Sequence, residues 1–174
     1  MRAAIAAGDK TETRRIVDAR NSTVHPGTFA GVNLESGRAR RLSTPEVRAR
    51  CSFESGRVRV VTVAPIVRAG DLFWTKANRF TSRAKSEETL EVLTVDVARI
   101  QDMTDAQAQA EGIAHYNPKR RGPVPASHRL KFAALWDEIN GAGAWARNDW
   151  VWIYRFRPLR ENIEAMLARW ESKP

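Results

Sequence analysis

TLEVLTVDVARI, residues 89–100, carries the strongest strand pattern in the chain. Leu90 and Val92 are two apart, the pattern slips by one, and Val95 and Val97 are again two apart, so one strand with an irregularity near its middle is expected. The period then changes. In MTDAQAQAEGI, residues 103–113, Thr104 stands three positions before Gln107, the spacing of a reciprocal N-terminal cap, and Gly112 supplies the stop. Strands and helices follow one another without the regular strand–helix–strand alternation of a parallel sheet. The expected fold class is therefore α+β, a small mixed β-barrel with flanking helices.

Toward the C-terminus, residues 114–126 hold Pro118, Pro123 and Pro125 and read as a loop. SHRLKFAALWDEIN, residues 127–140, runs from a capping serine to Gly141 and places Leu130, Ala134 and Trp136 to Ile139 at helical spacing. WVWIYRF, residues 150–156, is an apolar run of strand length, and Ile163, Met166, Leu167 and Trp170 form one stripe of a C-terminal helix at about 160–172. Toward the N-terminus, GDLFWTKA (70–77) opens with a turn and enters a strand, and RVRVVTVA (57–64) is β-branched and partly alternating. Residues 18–57, punctuated by glycine, proline and many arginines, read as an insertion or long extended loop. Residues 2–7 suit a short helix with Gly8 as its cap. No repeat or linker divides the chain, so one domain over residues 1–174 is expected.

A chain of 174 residues, 43% hydrophobic, can bury one core, and a formal net charge of +9 favours anionic partners: nucleotides, RNA, DNA or acidic surfaces. Cys51 is the only cysteine, which excludes an internal disulfide and a cysteine-rich metal centre. The histidines, His25, His115 and His128, lack ligand spacing, so neither metal nor cofactor is expected. The N-terminal apolar run is short and no segment reaches the roughly 18 apolar residues of a membrane span. A cytoplasmic protein without a membrane partner is expected, with a monomer favoured. There is no G-x-S-x-G, phosphate-binding glycine loop or G-x-G-x-x-G. Trp136, Trp152 and Trp170 read as core, whereas Trp74 and Trp145 stay open between core and base stacking.

The remaining signal is AAGDKTETRRI, residues 6–16. Two acids, a lysine, two threonines and two arginines follow Gly8 within seven positions. AAGDKTETRR resembles the ILAGRKTQTRR signature that opens many ASCH-domain proteins of the PUA-like superfamily. Three further stretches resemble that family in the same order: AGDLFWTK, SEETLEVLTVDVARIQDMTDAQAQAEGI, and FAALWDEINGAGAWARNDWVWIYRF. Together they cover roughly half the chain. The resemblance implies a small β-barrel with flanking helices and a cleft for nucleotides or RNA. It does not extend to residues 18–57 or the final helix, and Lys76 and Ala77 stand where many relatives carry an Arg-Glu pair.

One branch of that superfamily hydrolyses N(4)-acetylcytidine with a K-T-x-T motif and a later glutamate. The resemblance implies Lys10, Thr13 and Glu111 as the catalytic set and an acylated cytidine as the small-molecule substrate; Arg14, Arg15, Trp74 and Lys76 are candidate substrate contacts. The chemistry is coherent. A threonine hydroxyl attacks an amide slowly unless a base takes its proton or a cation stabilises the alkoxide. A lysine can serve as the base if burial beside Arg14 or Arg15 depresses its pKa, and a glutamate can orient it or carry a proton to the leaving amine. On a regular strand Thr11 and Thr13 share a face and Lys10 points away, so the site demands an irregular backbone after Gly8. Three alternatives stay open: an RNA- or nucleotide-binding module using RARR (38–41) and KRR (119–121), a ribonuclease, or a solvated turn.

Overall fold

A computed structural model gives the fold and describes residues 2–17, 29–34, 47–53, 58–63, 65, 68–75, 82–116 and 126–171. A short helix α1 (Arg2–Ala6) ends at Gly8, whose φ of +82° and N–H bond to the Ile5 carbonyl close the turn. Among the described residues, seven strands follow, interleaved with three more α-helices: β1 (Glu12–Ile16), β2 (Phe29–Leu34), β3 (Val47–Phe53), β4 (Val58–Val63), β5 (Leu72–Trp74), β6 (Thr89–Arg99), α2 (Asp105–Ala110), α3 (His128–Asn140), β7 (Trp150–Leu159) and α4 (Ile163–Glu171). The architecture is α+β.

Strands β1, β7, β6 and β5 form, in that order, an antiparallel sheet that curls into a half-barrel. The slip in TLEVLTVDVARI is a β-bulge. The β6–β7 register shifts between Val92 and Thr94, Leu93 is turned outward, and Val92 and Val95 are both buried despite their odd spacing. Strand β7 lies between β1 and β6, which explains its almost unbroken apolar run: Val151 and Ile153 are buried on one face, Trp152, Tyr154 and Phe156 on the other. Val151 and Ile153 pack with Ile100, Met103, Ile113, Phe132 and Trp136 into the core beneath α2 and α3.

The expected caps are present. Thr104 accepts from the Gln107 N–H while the Gln107 side chain accepts from the Thr104 N–H, and Gly112 follows at φ +77°. Ser127 caps α3, and Asn162 stands just before α4, where its Oδ1 accepts from Glu164 and Ala165 while its amide donates to the Ser86 carbonyl.

One expectation is corrected. The segment 18–57 is not an extended loop throughout: β2 and β3 lie in it and pair with β4 in a second, three-stranded antiparallel sheet. Helix α3 buries Phe132 and Trp136, whereas Leu130 and Ile139 are 53% and 67% exposed, because the helix meets its neighbours along one narrow stripe. The side chain of Trp170 lies outside the described residues, but Ile163 and Met166 of the same stripe are buried. Among the described residues, no helix is long and apolar enough to cross a membrane.

Candidate functional site

The chain between Gly8 and β1 is irregular, but the irregularity does not bring Thr13 to Lys10. Lys10 makes an isolated antiparallel bridge with Glu111, the Lys10 N–H donates to the Ala4 carbonyl, and the Thr11 N–H donates to the Ala110 carbonyl at 2.9 Å. The start of β1 is thereby sewn to the C-terminal end of α2. Gly112 makes this approach possible. A β-carbon there would stand 3.1 Å from the Lys10 Cβ, and its positive φ disfavours any L side chain.

Lys10 and Glu111, 101 residues apart in sequence, meet at 2.7 Å between Nζ and Oε2, with side chains only 7% and 6% exposed. Lys10 Nζ also donates to the Glu111 carbonyl at 2.7 Å and the Glu12 carbonyl at 3.1 Å. Three acceptors match the three protons of an ammonium group, so no lysine lone pair is presented to Thr13 in this arrangement. Burial pushes the Glu111 carboxyl above its ordinary value of 4.5 and outweighs the opposing attraction of Lys10 and Arg14; nearby Glu12 adds to the rise.

Glu12 and Arg14 project from one face of β1 and Thr13 and Arg15 from the other. On the first face, Arg14 reaches Glu111 Oε1 at 3.4 Å and Glu12 Oε1 at 2.5 Å. Glu12 Oε2 is held at 2.9 Å by Arg155, its cross-strand partner on β7, and Arg155 reaches Asp96 on β6 at 2.6 Å. On the second face, the Thr13 hydroxyl accepts from Arg15 Nη1 at 3.2 Å and lies opposite Tyr154 in the register. Burial pushes the Tyr154 phenol up to about 12, against the lowering influence of Arg15.

The structure thus joins Lys10, Glu111 and Arg14, while Thr13 on the opposite face of β1 accepts from Arg15 two residues along the same strand. Trp74 lies on β5, at the opposite edge of the sheet from β1. Lys76 lies outside the described residues, as do His25, RARR and KRR. Trp145 is partly buried against the core, with its ring edge-on to Phe132 and the Arg129 guanidinium 5.3 Å from its ring centre. Sequence reasoning did not anticipate Glu12, Arg155 and Asp96 as partners. Its accessible signals were the charge alternation in ETRRI and the lone arginine in the apolar WVWIYRF.

Set against protein-family models, curated proteins and solved structures, the chain matches none.

Proposed function

We propose that this chain is an ASCH-type, PUA-like amidohydrolase that converts N(4)-acylcytidine to cytidine and a carboxylic acid. The observation that carries the reading is the buried pair of Lys10 and Glu111, two distant residues that the family resemblance selects. In the reaction, the Thr13 oxygen attacks the acyl carbon and loses its proton to Glu111. The C–N bond breaks, the amine of cytidine leaves with that proton, and water then hydrolyses the threonyl ester. Lys10 acts as a clamp, because its donors are committed to Glu111 and two carbonyls. Arg15, already on the Thr13 hydroxyl, supplies positive charge beside the developing alkoxide. The reading requires the start of β1 to bring the Thr13 oxygen round to the Glu111 side when substrate binds.

A second reading, an RNA- or nucleotide-binding module, is favoured by the separation of Thr13 from the Lys10–Glu111 pair and by the net charge of +9. A panel of acylated cytidines, assayed without added metal, tests the first. Released cytidine that persists in chelator supports it; no turnover, together with steeply salt-dependent binding to a generic RNA, replaces it with the second.

A further inference from the structure

The charges around Lys10 and Glu111 continue as an alternating series: Lys10, Glu111, Arg14, Glu12, Arg155, Asp96. Its inner members are buried, with the Arg14 side chain 1% exposed, whereas Arg155 and Asp96 are 42% and 45% exposed. The series therefore runs from the candidate site to the surface. Glu111 is gripped at both oxygens, Oε2 by Lys10 and Oε1 by Arg14, and Arg14 is the only contact fixing the second oxygen among the described residues. Arg14 is in turn held by Glu12, whose other oxygen belongs to Arg155.

We infer that Arg14 and Glu12 are positioning residues for Glu111: Arg14 fixes its second oxygen, Glu12 holds Arg14 against Arg155, and the surface arginine and buried carboxylate act as one unit. This rests on the reading that Glu111 is the proton-transferring group. A sheet does not need these charges for stability, since buried ion pairs are commonly replaced by apolar residues of similar volume without loss. What the series does supply is control of one carboxylate. The groups facing Glu111 are Lys10 from the segment before β1 and Arg14 and Glu12 from β1 itself; Arg155 on β7 and Asp96 on β6 act through Glu12. Arg14 favours the charged form of Glu111 and Glu12 disfavours it, so their removal acts in opposite directions.

The test is a carbon-13 NMR titration of glutamate side-chain carboxyls in the full chain, with the Glu111 signal identified by its loss in Glu111→Gln. Arg14→Gln should move the Glu111 midpoint upward and Glu12→Gln downward. Arg155→Gln, an exposed change that spares the buried packing, should also move it upward, because Glu12 then acts unneutralised. A merely structural role predicts something else: loosened packing would drive every variant the same way, toward the ordinary glutamate value. Movement in one common direction, or no movement in folded Arg155→Gln, overturns the inference. The titration needs no turnover, so its outcome stands apart from the acylcytidine assay. If wild type is active, the acid limb of kcat should track the Glu111 midpoint across the variants, and a limb that stays fixed while the midpoint moves overturns the inference as well.

Discussion

Lys10→Met keeps most of the apolar stem of the lysine and removes its charge and all its donors. Three contacts disappear: those to the Glu111 carboxylate, the Glu111 carbonyl and the Glu12 carbonyl. Removing one partner of a buried ion pair costs about 3–5 kcal/mol, because the other charge stays desolvated. Here the loss is softened. Arg14 still reaches Glu111, and burial already favours the neutral carboxyl, so Glu111 can take a proton. The low end, about 3 kcal/mol, is expected at neutral pH. In a chain of 174 residues each kcal/mol lowers Tm by about 2–4 °C, giving a fall of about 6–12 °C. Thermal and urea unfolding followed by circular dichroism measure it. Adding Glu111→Gln to Lys10→Met removes the orphaned charge and should recover part of the loss, with a coupling of about 1 kcal/mol or more. A loss below about 1 kcal/mol, additive with Glu111→Gln, is the behaviour of an exposed pair and would refute the reasoning.

Gly112→Ala should cost about 1–3 kcal/mol, from its left-handed backbone and the 3.1 Å approach to the Lys10 Cβ, and an unchanged urea midpoint would show that the two segments do not meet so closely. The raised Glu111 carboxyl means the folded chain holds a proton that the unfolded chain releases. Its stabilising contribution is complete below 4.5 and is lost as pH rises through the folded value, so Glu111→Gln should flatten that decline in urea midpoints measured against pH. On acetylcytidine, Thr13→Ala should lower turnover by several orders of magnitude while Thr13→Ser keeps part of it, and near-wild-type turnover in folded Thr13→Ala removes Thr13 as nucleophile.

Much of the fold was legible where a local rule has a local cause. The cap at Thr104, the stop at Gly112 and the slip within β6 each depend on a few consecutive residues. Strands β2 and β3 escaped because their punctuation by glycine and arginine resembles a loop. Yet Val47, Ala49, Cys51 and Phe53 alternate strictly with Arg48, Arg50 and Ser52, so the strand period was there beneath the charge. In α3 the helix was legible but its buried face was not, because helical spacing shows which residues share a face, not how wide a face the neighbours cover. At the site, Glu12 and Arg14 were readable as same-face charges once β1 is a strand. Their partners Arg155 and Asp96 were not, because strand register is a property of the assembled sheet.

The bulge at Leu93 has a consequence for how this charge series can be inherited or engineered. It acts as a phase inverter: the strand before it and the strand after it present opposite parities to the same side. Paired in regular register, with Leu93 rather than Thr94 opposite Arg155, the strand would turn Asp96 away from Arg155, and Val95 would exchange an apolar environment for the charged one. Deleting Leu93 would leave a regular strand with Thr94 still opposite Arg155 and Asp96 still on its face, so the outermost pair depends on the bulge only while the extra residue is present.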